Sequence, residues 1–241
     1  MTGIILAAGK SKRMGLPYSK VLLPLNGRPV LTWIIDLARQ ANLHPIIVVV
    51  APSQKEMHNI FANQDLQFVV QKEQKGTADA VRSCSHLLNL TDDIFILYGD
   101  TPLLKLSTIN QLIDTFSKEF ADVVLLTAIF DEPKGYGRIV RNNNNDIIAI
   151  IEEKDANDNL QKIKEINVGV YIFRYARLKP ILENLKPSPV NGEYYLTTAL
   201  TEIFNQGGKI RSVTTDTSND MLGINTPEDW EKVKIAFRNK N

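Results

Sequence analysis

The sequence predicts an α/β fold built around buried parallel strands, on three observations. Short apolar runs recur at Gly3 to Ala8, Pro45 to Val50, Leu66 to Val70, Asp93 to Tyr98 and Asp122 to Phe130. They are too continuous for strands with one wet face and suit strands covered on both sides. Helically spaced stripes lie between them: Leu31, Ile34, Ile35, Ala38 and Ala41, then Ala80, Val81, Cys84, Leu87 and Leu88. The regular alternation implies right-handed crossovers.

The first strand stops at Ala7-Ala8-Gly9, and Lys10, Lys12, Arg13 and Lys20 follow. A tight loop there lets backbone amides approach a ligand while the cations add charge, which suits a polyphosphate. Glycine after a strand is also ordinary punctuation and surface lysines are commonly only solvated, so spacing alone leaves both readings standing. A dinucleotide fingerprint is excluded: the glycine spacing is wrong and no helical pattern begins until near Pro29.

The strand at Pro45 to Val50 leads to a helix start marked by Ser53 and Glu56. The strand at Leu66 to Val70 leads into Gln71-Lys72-Glu73-Gln74-Lys75-Gly76-Thr77-Ala78-Asp79-Ala80. Amide side chains there can read the edge of a base, and a polar loop with a Thr cap accounts for the stretch equally well. After Asp93 to Tyr98 comes Gly99-Asp100-Thr101-Pro102, with a carboxylate at the strand's carboxyl end. Ligands bind at that edge of open α/β sheets, and a carboxylate there suits Mg²⁺; the alternative is a turn aspartate. Ser107 marks the next helix start.

Beyond about residue 131 the rhythm changes. Gly137 to Arg141 and Asp146 to Glu152 flank Asn142 to Asn145 like the arms of a hairpin. A strand at Ile166 to Phe173, a helix at Ala176 to Leu185 and a capped helix start at Thr226-Pro227-Glu228-Asp229 follow. This half reads as an insertion covering the carboxyl ends of the first sheet, within one domain. The glycines of Gly135-Tyr136-Gly137 let backbone meet ligand, and Glu152 and Asn167 can bracket sugar hydroxyls. As a bare charge run, Glu152 to Asp155 is a solvated face.

Composition narrows the classes. The 241 residues carry 44% apolar side chains, 23% charged and a net charge of +1, which supplies no field for nucleic acid or anionic lipid. Small-molecule partners are expected. Cys84 is the only cysteine, so neither an intramolecular disulfide nor a thiolate metal cluster is expected. The amino-terminal stretch resembles neither a signal peptide nor a membrane span, and a cytoplasmic location is expected. His44, His58 and His86 fall in none of the candidate stretches, and no serine elbow or metal-spaced histidine pair is present.

Nine stretches in order, LAAGKSKRM, SKVLLPLNGRPVL, QKEQKGTADAV, LYGDTPLL, PKGYGRIVR, IEEKDA, EINVGVYIF, GEYYLTTAL and GINTPEDW, resemble the sugar-phosphate nucleotidyltransferases. They are most similar to the uridylyltransferase (pyrophosphorylase) domain of the bifunctional enzymes that make UDP-N-acetylglucosamine. The resemblance implies a nucleotide-diphosphosugar transferase fold, a Rossmann-like mixed, mostly parallel sheet. Residues 1–130 would form a nucleotide-binding half, 131–225 a β-rich sugar-phosphate-binding half, and 226–241 a C-terminal helix.

It also implies roles. Arg13 and Lys20 would hold the triphosphate, with Leu6, Ala7, Ala8 and Gly9 near the nucleoside. Gln71, Gly76 and Thr77 match base-recognising positions, and Asp100 and Asn225 match the pair that binds Mg²⁺. Sugar contacts would fall to Tyr98, Gly137, Glu152, Asn167, Tyr195 and Thr197. The expected reaction joins UTP to N-acetylglucosamine 1-phosphate; use of another base such as CTP, or of another phosphorylated acceptor, and a catalytically silent nucleotide-sugar sensor are the alternatives.

The chain departs from the family pattern at Ser11, where glycine is usual, at Pro17-Tyr18-Ser19-Lys20, usually LPK, and at GTADA, usually GTGHA. Its NTPEDW resembles cytidylyl- and other nucleotidyltransferases. The hexapeptide β-helix of the bifunctional relatives is missing from the sequence, so neither acetyl transfer nor trimerisation is expected.

Overall fold

A computed structural model describes residues 1–215 and 221–239. Strand β1 (Thr2–Leu6) is followed by a small ribbon, β2 (Pro24–Leu25) with β3 (Arg28–Pro29), and helix α1 (Val30–Gln40). Then come β4 (Ile46–Val50), α2 (Glu56–Ile60), β5 (Gln67–Val70), α3 (Thr77–Ser83), β6 (Asp93–Tyr98), α4 (Leu106–Glu119) and β7 (Val123–Ile129). The second half contributes β8 (Arg138–Arg141), β9 (Ile147–Ile151), α5 (Asp158–Gln161), β10 (Glu165–Arg174), α6 (Tyr175–Asn184), α7 (Leu196–Asn205), β11 (Ile210–Thr215) and α8 (Pro227–Arg238).

One sheet runs β11-β7-β10-β6-β1-β4-β5. The strands β6, β1, β4 and β5 are mutually parallel, and β10 alone reverses direction between β6 and β7. Alternate residues of each strand feed two apolar layers. Ile5, Val48, Phe95 and Leu97 pack with α1 and α4, while Ile4, Ile47, Ile94 and Ile96 pack with α3, α6 and α7. Buried on both faces, these strands need the unbroken apolar runs seen in the sequence. The exception is β5, expected to be fully buried. Standing at the sheet edge, it leaves Gln67 and Val70 exposed.

The second half does more than cover the first. Its strands β10 and β11 flank β7 and complete the same sheet, and only the β8–β9 hairpin, paired to the start of β10, projects over the carboxyl edge. Two expected helix starts shift. Helix α2 begins at Glu56 with Lys55 at its N-cap, and α4 begins at Leu106, so neither Ser53 nor Ser107 caps. The stripe through Leu87 also breaks, because α3 ends at Ser83 and a 3₁₀ turn over Ser85–Leu87 turns Leu87 outward. The start at Thr226 forms as expected: its hydroxyl accepts from the Asp229 amide and the Asp229 carboxylate answers the Thr226 amide. Residues 240 and 241, expected at the end of that helix, lie outside the described residues.

A third, smaller cluster joins Met14, Leu23, Leu25, Val30, Leu103, Ile224, Val233 and Phe237. It draws the loop after β1, the loop after β6 and helix α8 together beside the carboxyl edge of the sheet. Each large side chain buried there contributes about 1.5 to 3 kcal/mol. Among the described residues, no helix is long and apolar enough to cross a membrane.

Candidate active site

The end of β1 is stitched down before it becomes a loop. The Leu6 carbonyl accepts from the Gly99 amide (3.0 Å), and the Ala7 amide donates to Val49 (2.9 Å). Gln54 Nε2 donates to the Ala7 carbonyl at 3.1 Å, and Gln74 Nε2 donates to that of Ala8. Leu6, Ala7 and Ala8 therefore shape the floor of the site, while Gly9 and Lys10 are exposed. Two 3₁₀ turns follow, Lys12–Met14 and Lys20–Leu22, each presenting one cation of interest.

Four residues far apart in sequence then meet. Asn225 Oδ1 accepts from Arg13 Nη2 at 3.1 Å and from Lys20 Nζ at 3.0 Å, and Lys20 Nζ is ion-paired with Asp100. The Asp100 carbonyl accepts from the Ile224 amide (3.0 Å), which fixes the loop after β6 against the loop before α8. Asp229 accepts from the Asn225 and Thr226 amides at 3.0 and 2.9 Å, so the helix cap also sets the Asn225 loop. One carboxylate and one amide oxygen converging on a single cationic atom are the hard donors a Mg²⁺ ion takes. Among the described residues, no group of three or more His, Cys, Asp or Glu could hold a metal, so substrate oxygens or water would complete such a shell.

Tyr136 belongs to the same cluster although the sequence did not single it out as a site residue. Its phenol is pushed up to about 12 by burial, with the Asp229 and Asp100 charges adding, against a backbone hydrogen bond from Gly223 and the nearby Arg13. It stays a neutral hydrogen-bonding group.

The loop expected to meet the base is held from behind. Gln71 is buried, and its Nε2 donates to the Gly76 carbonyl (2.9 Å) and to Asp79 Oδ2 (2.8 Å). Burial works to raise the Asp79 pKa, but the hydrogen bonds from Gln71 and Arg82 hold it below the usual carboxylate range. Gly76, at φ 108°, is pressed against the Tyr194 backbone, where an added Cβ would lie 2.5 Å from the carbonyl oxygen. The Ala78 amide donates to that same carbonyl, and Thr77 Oγ1 accepts from the Leu196 amide (2.9 Å each). In this structure Gly76 and Thr77 thus join the loop to residues 194–196.

On the other side, a polar chain runs from Thr77 to Tyr98 and on to Tyr171, whose hydroxyl accepts from Asn167 Nδ2 (2.6 Å). Burial, then the Glu152 and Asp100 charges, raises the Tyr98 phenol, and burial likewise raises Tyr171. Asn167 Oδ1 accepts from the Gly169 amide at 3.2 Å. Gly169, at φ 90°, lies where the β7–β10 register shifts, and a Cβ there would be 2.4 Å from the Tyr98 ring. Asn167 also donates its amide to the Gly137 carbonyl (2.8 Å), and Gly137 faces Glu152.

Thr197 Oγ1 donates to Glu152 Oε1 at 2.8 Å. Burial raises the Glu152 pKa, and the Asp155 and Glu193 charges add, against that hydrogen bond. Tyr195 sits further out, accepting from Asn191. Beneath the hairpin, Arg138 is almost fully buried, paired with Glu153 at 2.7 Å and donating to the Tyr136 carbonyl. Glu152 to Asp155 is therefore no plain solvated face. Two of its carboxylates point inward.

With the geometry in view, the comparisons bear on identity. A family model described as a MobA-like NTP transferase domain matches residues 3–166. The chain belongs to that family. It is 37% identical over 240 residues to the bifunctional protein GlmU of Caldanaerobacter subterraneus subsp. tengcongensis, covering 100% of this chain and 52% of that protein. Against GlmU of Caldicellulosiruptor saccharolyticus it is 39% identical over 228 residues, covering 93% and 49%. The chain thus spans about half the length of the curated relatives it matches.

In fold it is similar to a putative glucose-1-phosphate thymidylyltransferase from Bacillus anthracis, with a TM-score of 0.83, 20% identity, and coverage of 100% and 96%. It is also similar to a UDP-glucose pyrophosphorylase, with a TM-score of 0.79, 18% identity, and coverage of 100% and 99%. The nucleotide-diphosphosugar transferase fold expected from the sequence is the observed one.

Proposed function

We propose that this NTP transferase joins UTP to N-acetylglucosamine 1-phosphate with Mg²⁺, forming a nucleotide sugar and releasing pyrophosphate. The observation that carries the reading is the meeting of Arg13 and Lys20 with Asp100 and Asn225 at the carboxyl edge of the sheet. The choice of base and sugar is supported by the sequence resemblance to the uridylyltransferase domain and by the GlmU relatives.

A sugar 1-phosphate is largely dianionic at neutral pH, its second pKa being about 6. Its oxygen can form the new bond to the α-phosphorus as the bond to pyrophosphate breaks, with no protein base. That suits a site whose assigned residues include no histidine. The task left to the protein is to align two anions and neutralise the departing charge. Arg13 and Lys20 do so from one wall, and Glu152, Asn167 and Thr197 orient the sugar from the other. Asp100 and Asn225 would hold Mg²⁺, which supplies charge neutralisation on the triphosphate.

A pyrophosphate-release assay over a grid of nucleoside triphosphates and sugar 1-phosphates tests this. UTP with N-acetylglucosamine 1-phosphate should turn over fastest, and Asp100→Ala should lower turnover by about 10³-fold. No turnover with any pair defeats the enzyme reading, turnover with CTP alone removes the substrate, and activity surviving Asp100→Ala removes the metal assignment.

A further inference from the structure

We propose that Ser11 is a positioning residue that sets the distance between the two substrate-binding cations, an inference that rests on the function proposed above. Ser11 stands where the resembling family usually has glycine, and its backbone is in the left-handed region, at φ 50° and ψ 20°. A side chain is disfavoured there, so its presence needs a return. The return is visible. Ser11 Oγ accepts from the Lys20 backbone amide at 3.0 Å.

That bond does what the neighbouring serine does not. Ser19 occupies the N-cap position of the turn Lys20–Leu22, yet its hydroxyl makes no capping hydrogen bond and is buried without a partner among the described residues. Ser11 caps that turn from nine positions upstream. Its own carbonyl meanwhile accepts from the Met14 amide at 3.0 Å and closes the turn Lys12–Met14. One residue therefore ties down both turns, by backbone on the Arg13 side and by side chain on the Lys20 side. The two cations it spaces meet on one oxygen, Asn225 Oδ1.

Glycine at this position keeps the carbonyl link and relieves the backbone, removing only the hydroxyl tether. Alanine removes the tether and keeps the strain. Residue-resolved hydrogen exchange should show the Lys20 amide exchanging about tenfold faster in both Ser11→Gly and Ser11→Ala. In the UTP reaction, kcat/KM for the nucleotide should fall about tenfold in both variants. KM for the sugar phosphate should move much less, because Glu152, Asn167 and Thr197 hold the sugar from the other wall. The Ser11→Gly protein should melt at or above the wild-type temperature.

A Lys20 amide that exchanges at the wild-type rate in Ser11→Gly overturns the proposal. So does faster exchange with unchanged nucleotide kcat/KM, or a defect confined to Ser11→Ala, which would be strain alone. If the wild type turns over no substrate pair, the function proposed above fails on its own. The tether is then judged by exchange and by binding of inorganic pyrophosphate: a Kd about tenfold weaker in Ser11→Gly sustains it, and an unchanged Kd overturns it.

Discussion

Under the function proposed above, the two walls of the site use opposite physics. On the phosphate wall, Arg13 is exposed and Lys20, though mostly covered, keeps 14% of its side chain open to solvent, and both aim cationic groups at oxygen. On the sugar wall, Thr77, Tyr98, Tyr171 and Asn167 form a neutral hydrogen-bonded chain in which burial raises both phenols, with the Thr197–Glu152 hydrogen bond beside it. A ligand phosphate brings its own charge and must find charge waiting in a place water can reach. A sugar presents hydroxyls, which are discriminated by buried polar groups that cost free energy when left unpaired. The first wall should therefore carry rate with less structural burden than the second, which should carry both.

The largest effect expected from that contrast is on Lys20. Lys20→Ala should lower kcat/KM by about 10³-fold, as for other preorganised charges at phosphoryl transfer. Stability should fall by about 1 to 2 kcal/mol, because the Lys20–Asp100 pair is mostly covered, its side chains 14% and 13% exposed, and the variant leaves the Asp100 carboxylate without its cation. Steady-state kinetics beside a thermal melt would check both halves. A large fall in melting temperature would show that the phosphate wall is structural after all.

The sugar wall should break differently. Gly169→Ala places a Cβ 2.4 Å from the Tyr98 ring at a backbone angle of φ 90°. Both terms act in the fold, so a loss of about 3 kcal/mol is expected, or a midpoint lower by roughly 6 to 12 °C. Activity should fall about 10²-fold with it, since Tyr98 and Asn167 both lean on this turn. Calorimetry giving a wild-type midpoint would mean that the ring moves aside freely and that the polar chain is not rigid.

The same contrast separates what the sequence discloses from what it hides. Arg13, Lys20 and Asp100 are residue types that announce their chemistry after strand ends, Asn225 is legible only through the family resemblance, and the structure brings all four together. The buried strands were equally legible, because burial on two faces forces an unbroken apolar run. Three supports were not. Gln54 reaches Ala7 across 47 positions, Tyr194 receives Gly76 only because residues 194–196 fold back onto the base loop, and Tyr171 looks like any core aromatic. Long-range pairing creates each of these roles, and no local spacing encodes it. The expected caps at Ser53 and Ser107 failed for the converse reason: local propensity pointed to them and tertiary packing placed the helix starts elsewhere.

Glu152 gives the smallest and sharpest test, because it is the charged group on the wall where charge is least at home. Burial raises its pKa above the ordinary 4.5, ahead of the Asp155 and Glu193 charges and against the Thr197 hydrogen bond. A carboxyl group raised in the folded state favours folding when protonated. That contribution is present below the unfolded pKa and is lost as pH rises through the folded value. At neutral pH the wild type therefore carries a buried carboxylate at some cost. Glu152→Gln carries none and can still accept from Thr197 through its amide oxygen. The variant should melt higher than wild type at neutral pH, with the gain shrinking as pH falls toward 4.5. Its kcat/KM should fall about tenfold, the scale of one weakened charged hydrogen bond to a substrate hydroxyl. Thermal melts across pH decide it. A gain that is the same at acid and neutral pH would assign the effect to packing and would place the Glu152 charge outside the buried wall.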